Sequence, residues 1–170
     1  MKKNLTVFDL PNESPERVFR LISSDKNINF VRDIVNAMSW DEIYGQQVID
    51  LLDKNLPETR AFVAWLAKKI KPKTYLEVGT RRGWSLAMVA KACSDCKLYA
   101  FDEWHVNYGG VANPGPDFVK EELQKLECNN DIEFVSGNSH VTLSKFFKEN
   151  PTLELDLALI DGDHSVDGAT

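Results

Sequence analysis

From Lys73 onward the chain alternates between two spacings, and this limits the fold more than any other feature. Short, mostly apolar runs at 74–78, 98–101, 132–135 and 155–160 read as buried strands. Between them, 84–93, 117–127 and 142–148 read as helices, and 103–116 is a loop rich in Gly, Asn and Pro. Strands separated by helices imply right-handed crossovers and a parallel sheet covered on both faces. The expected class is α/β. Ligands of such sheets bind outside the carboxyl ends of the strands, so any chemistry should sit just after each strand.

The region before Lys73 reads as helical. Ser14-Pro15-Glu16 combines an N-cap hydroxyl, a proline at the first helical position and an acid in the first turn, starting a helix through Ile22. Ile28, Val31, Val35 and Met38 recur at three- and four-residue steps, the mark of a buried helical face. Ser39 with Glu42 fits a capping box for a helix through Tyr44, Val48 and Leu51 or Leu52, which Gly45 weakens. Pro57 can open the next helix, with Phe62, Val63, Leu66 and Ile70 facing a core, and Pro72 stops it. Lys68, Lys69 and Lys71 read as a solvated helix end complementing the dipole. The expected division is a helical extension over 1–72, serving as a lid or an oligomerisation surface, and a sheet domain over 73–170.

The four strand ends hold the polar residues. The first runs Glu77-Val78-Gly79-Thr80-Arg81-Arg82-Gly83-Trp84-Ser85. Glycines at a strand-to-helix turn let a ligand approach the backbone, and the helix N-terminus offers free N–H groups. The pattern is not the dinucleotide G-x-G-x-x-G. A carboxylate two residues before the first glycine would repel a pyrophosphate and suit a cationic ligand; a tight turn with a solvated Glu is the plainer reading. The second strand ends in Asp102-Glu103, and Asp102 lies 19 residues beyond Gly83, where a carboxylate can accept from a ribose diol. The third runs into Gly137-Asn138-Ser139, able to read an adenine edge or simply to cap a helix through Ser139. The fourth ends in Asp161-Gly162-Asp163-His164-Ser165, which reads as a metal and acid–base cluster or as a polar turn.

Taken together, these segments resemble the class I, Rossmann-like S-adenosylmethionine-dependent methyltransferases. The run from Tyr75 to Ser85 is similar to the family's first motif, Asp102 matches its ribose-binding acid, and Leu159 to Ser165 resembles a fourth-strand signature of the small-molecule and sugar O-methyltransferase branch. The resemblance extends from about Pro57 to the C-terminus. It implies a Rossmann-like parallel sheet carrying strands 1–4 of a seven-stranded core, with an α-helical N-terminal extension. It also implies S-adenosylmethionine (SAM) as cofactor, contacted by Glu77, Gly79, Thr80, Arg81, Gly83, Ser85, Asp102, Glu103, Gly137, Asn138, Ser139 and Asp161. In metal-dependent members Asp161 would be a ligand of Mg²⁺ or another divalent cation, Asp163 is expected beside it, and His164 would be the base that deprotonates an acceptor hydroxyl. Arg81 departs from the family, many members of which have a glycine there. Because the chain supplies four strands of seven, it is expected to be part of a larger domain and to catalyse weakly or not at all alone.

Other features narrow the partners. The net charge of −6 argues against a broad nucleic-acid or anionic-membrane surface. The longest apolar runs are too short to span a bilayer, and no signal peptide is seen. Three cysteines, an odd count, suit a reduced cytoplasmic protein. Cys93 and Cys96 form one C-x-x-C with only Cys128 left, which is too few for zinc, and read as structural. Trp40, Trp65, Phe62 and Phe30 read as core. Trp104 and His105, in the loop after the second strand, are placed to touch a ligand or to decorate the surface; His140 reads as a helix-start residue. The expected partner is a small-molecule acceptor, with homo-oligomerisation through the N-terminal helices. Two alternatives stay open: an NAD(P)-binding oxidoreductase on a similar fold, and a non-catalytic binding or assembly module.

Overall fold

Ser14 starts the first helix as its sequence requires. Its Oγ accepts from the Arg17 N–H at 3.3 Å, and Pro15 follows at the first helical position of α1 (Pro15–Ile22). The computed structural model describes residues 14–38, 42–54, 58–106 and 112–162. Three further helices precede the sheet: α2 (Asp25–Ala37), α3 (Glu42–Asp53) and α4 (Thr59–Ile70). On α2 the expected face is buried: Ile28, Val31, Val35 and Met38, joined by Ile34. Asn27, also buried, donates to Ile22 O at 2.9 Å and Ala61 O at 2.8 Å, tying α1 and α2 to α4. Ser39 and Pro57, read as helix starts, lie outside the described residues. Glu58 caps α4, and Lys71 ends it in the left-handed conformation (φ 52°) just before Pro72.

The alternating half follows as β1 (Thr74–Val78), α5 (Trp84–Ala92), β2 (Lys97–Asp102), α6 (Pro116–Lys125), β3 (Ile132–Ser136), α7 (Ser139–Glu149) and β4 (Leu157–Ile160). The strands form one parallel sheet in the order β3-β2-β1-β4. Two of these elements start two or more residues away from expectation, each for a local reason. β4 starts at Leu157 because the Asp156 carboxylate accepts from the N–H groups of Lys73 (2.7 Å) and Thr74 (3.2 Å), so the chain joins the sheet only after it. α7 starts at Ser139 because Asn138, not Ser139, is the cap, its side chain accepting from the His140 N–H at 2.9 Å.

Alternate residues of β1 and β2 serve two cores. Tyr75, Leu98 and Ala100 pack with residues of α2, α4 and α5, so the helices before Lys73 share one apolar core with the first face of the sheet. Leu76, Val78, Tyr99 and Phe101 face the other way onto Phe146 of α7, whose ring meets Tyr99 and Phe101 edge-on. Phe62, Trp65 and Phe30 belong to or line the first core, as expected. Cys93 and Cys96 are buried, and all three cysteines are free thiols. No described helix is long and apolar enough to cross a membrane.

Candidate functional site

The carboxyl ends of the four parallel strands enclose a cavity of about 510 Å³, within the roughly 300–1,000 Å³ of small-molecule sites. Its wall is built from each strand end in turn. After β1, Gly79 takes φ 89°, and a Cβ there would lie 2.1 Å from the Asp161 carbonyl oxygen. Only glycine lets the β1–α5 turn pass this close to the end of β4. The Gly79 N–H donates to Phe101 O at 2.9 Å, seating the turn on β2 as well. Arg81 occupies the left-handed region (φ 50°), which glycine adopts at no steric cost and other residues adopt less readily. Its N–H donates to Asp102 Oδ2 at 2.8 Å, which helps hold the turn in that conformation.

Asp102 organises the second strand end. Besides Arg81, it accepts on Oδ1 from the Trp104 N–H at 2.6 Å and from Asn113 Nδ2 at 3.0 Å. Its carbonyl accepts from the Gly137 N–H at 2.9 Å. One residue therefore joins the loops after β1, β2 and β3. Among the described residues, three of the roughly four lone-pair sites of its carboxylate are filled, two on Oδ1 and one on Oδ2. Next to it, Glu103 lines the cavity and pairs with His105 Nε2 at 2.6 Å. Trp104 donates from Nε1 to Ser136 Oγ at 3.0 Å and lies near Phe134, so it braces the loop and is not on the cavity wall.

Of the residues singled out in the sequence, Gly79, Arg81, Asp102, Glu103, Gly137, Asn138, Ser139 and Asp161 line this cavity. Glu77, Thr80, Gly83 and Ser85 support it from behind. Glu77 is fully buried, not solvated, and its carboxylate accepts from Tyr75 Oη at 2.6 Å and Ser85 Oγ at 2.9 Å. Burial pushes its pKa up to about 7; the two hydroxyls oppose the rise, Asp161 adds to it, and Arg60 lowers it. Thr80 packs under the turn, its Oγ1 donating to Phe101 O at 3.4 Å. Gly83 gives way to Val119 of α6, where a Cβ would come within 2.6 Å. Asp163 and His164 lie outside the described residues, and among the described residues no group of three His, Cys, Asp or Glu is placed to hold a metal ion.

Three polar side chains that sequence reading did not select as ligands also line the cavity, those of Arg60, Asn113 and His140, as does His105, which the sequence placed either there or on the surface. His140 does begin α7, as its position suggested, and it also faces the cavity. Asn113 is buried, and its Oδ1 has no hydrogen-bond partner among the described residues. Asn113 lies in a long Gly- and Pro-rich loop, and such loops commonly carry ligand contacts; that composition was the only sequence signal for it. Arg60 comes from a helix that precedes the sheet, and its sequence gave no signal beyond an acid two residues earlier.

A family model described as a methyltransferase domain matches residues 76–170, more than half of the chain. The chain belongs to the methyltransferase-domain family. The sheet order and the parallel crossovers of this methyltransferase domain are the Rossmann-like, class I arrangement. Among solved structures, it is similar to the O-methyltransferase from Bacillus cereus in complex with SAH, at 18% identity and a TM-score of 0.49, over 82% of this chain and 56% of that one. It is also similar to the O-methyltransferase TomG from Streptomyces achromogenes in complex with SAM, at 19% identity and a TM-score of 0.47, over 71% of this chain and 53% of that one. A third is the SAH-bound Podospora anserina methyltransferase PaMTH1, at 14% identity and a TM-score of 0.42, over 85% of this chain and 56% of that one. The chain thus spans little more than half the length of these proteins. No curated protein matches it.

Proposed function

We propose that this chain binds S-adenosylmethionine in the strand-end cavity and serves methyl transfer to the hydroxyl of a small molecule or sugar. The observation that carries this reading is the pairing of a glycine turn with acids that line the same cavity: Asp161, Asp102 and Glu103. Such surroundings repel a pyrophosphate and favour a ligand carrying an ammonium and a sulfonium. The residues present also fit an adenosyl group. Among the described residues, Asn113 Oδ1 lacks a donor and Asp102 Oδ2 accepts a single hydrogen bond, and Glu103 opens onto the same space.

When bound, S-adenosylmethionine supplies an electrophilic methyl on sulfur. The chain's part is to align and to move one proton. Asp102, Glu103 and Asn113 would hold the ribose side, Gly137, Asn138 and Ser139 the adenine side, and the Gly79–Arg81 turn the amino-acid side. His164 would take the proton of the acceptor hydroxyl. Asp161, a hard carboxylate on the wall, and Asp163 would hold a divalent cation, whose charge would lower the hydroxyl's pKa.

Calorimetric titration of the chain with S-adenosylhomocysteine (SAH) and, separately, with NAD tests the cofactor. Saturable binding of SAH and none of NAD is expected; the reverse preference would overturn the reading. For the proton transfer, His164→Ala is expected to abolish turnover in whatever active form contains this domain, while SAH affinity stays the same. Equal loss of both would remove His164 from that role.

A further inference from the structure

Arg60 reaches the cavity wall from the first turn of α4, outside the sheet's own loops. Three contacts fix it there. Its guanidinium lies over the Trp84 ring, with Cζ 5.0 Å from the centroid. It pairs through Nη1 with the carboxylate of buried Glu58. Glu58 in turn caps α4, accepting from the Arg60 N–H at 2.8 Å, so part of its negative charge is spent on the helix N-terminus. Arg60 Nε is buried and has no hydrogen-bond partner among the described residues. An unsatisfied buried donor of this kind costs stability unless something accepts from it. A planar cation held by stacking and pairing beside a cavity is a preformed receptor for a carboxylate.

Its place in the fold says which carboxylate. Trp84, on which Arg60 stacks, is the first residue of α5, directly after the Gly79–Gly83 turn. Arg60 therefore belongs to the β1 side of the cavity, whereas Asp102 and Glu103 follow β2 and Gly137 to Ser139 follow β3. Given the SAM reading, on which this inference rests, the ribose lies toward the β2 acids. The far end of the same ligand is an amino acid with a free α-carboxylate. We propose that Arg60 anchors that carboxylate, with Glu58 and Trp84 as the residues that position it. Arg60 also lowers the pKa of Glu77, so it sits where it can balance the acids beneath the turn.

The test compares two ligands that differ only at that end. SAH carries the amino-acid group; 5′-methylthioadenosine keeps the adenine, ribose and sulfur but lacks it. Affinities of both are measured by calorimetry for the wild-type chain and for Arg60→Gln and Arg60→Lys, with circular dichroism confirming that each variant is folded. For Arg60→Gln, SAH affinity is expected to fall about 10- to 100-fold, the scale of a charged hydrogen-bonded pair, and methylthioadenosine affinity to stay unchanged. Arg60→Lys, which keeps the charge but not the planar fork, is expected to lie between. An equal fall for both ligands would show that Arg60 acts through packing on Trp84 and would overturn the proposal, as would unchanged SAH affinity. If the folded wild-type chain bound neither ligand, the cofactor reading itself would fail, a result distinct from either of those.

Discussion

Glu77→Gln should make the chain more stable above neutral pH and leave it nearly unchanged in mild acid. Glu77 is fully buried between β1 and α5, and burial raises its pKa from the ordinary 4.5 to about 7. The folded state therefore holds a proton that the unfolded chain has already released. Stability from this group is complete below pH 4.5 and is lost as pH rises through about 7. At about 1.4 kcal/mol per pH unit, that interval amounts to roughly 3 kcal/mol of lost stability by pH 8. Glutamine is nearly isosteric with the protonated acid and does not titrate. Its carbonyl can accept from Tyr75 Oη or Ser85 Oγ, and its amide can donate to the other hydroxyl. Urea unfolding of wild type and Glu77→Gln at pH 5 and pH 8 isolates the effect, because every other titrating group cancels in the difference. The variant's advantage should grow by about 2–3 kcal/mol between the two pH values. An advantage that stayed flat, or shrank toward pH 8, would show that Glu77 remains an ordinary ionised carboxylate and would refute the argument from burial.

Other perturbations follow from the same geometry. Asp102→Ala leaves the N–H groups of Arg81 and Trp104 and the Asn113 amide without their acceptor; it should cost at least about 2 kcal/mol in urea unfolding and weaken SAH binding in calorimetry. Unchanged affinity would remove Asp102 from the site. Gly79→Ala forces a Cβ against the Asp161 carbonyl in a positive-φ turn and should lower stability by roughly 3 kcal/mol, whereas a melting temperature equal to wild type would mean the turn can shift. The Cys96 thiol, pushed up to about 12 by burial, should resist alkylation at pH 8 in the folded chain and react fast in urea; rapid labelling of the native protein would contradict its structural role.

The parallel sheet was legible because buried strands in an α/β layer are continuous apolar runs, as in Tyr75, Leu76 and Val78 or in Leu98 to Phe101. The strand ends were legible as places, since topology alone puts ligands there. What each residue does at those places was not legible. Glu77 and Asp161 both follow apolar strand residues in the sequence, yet one is fully buried behind the turn and the other lines the cavity. Glu77 lies within β1, on the face that packs on α5, whereas Asp161 comes just after the end of β4. Asn138 and Ser139 are both good caps by type, and only the backbone path decides between them. Arg60 lies 18 residues before the end of β1 and Asn113 lies 11 residues after Asp102, separations too long for any local spacing rule to connect them to the motifs they join.

Chemical-shift mapping of the isotope-labelled chain with SAH tests most directly whether the strand-end cavity is the cofactor site. Saturable shifts should gather at Gly79, Arg81, Asp102, Glu103, His105, Asn113 and Gly137 to His140, which line one cavity from three strand ends and the intervening loop. Saturable shifts confined to other surfaces, or none from a folded chain at millimolar SAH, would contradict it.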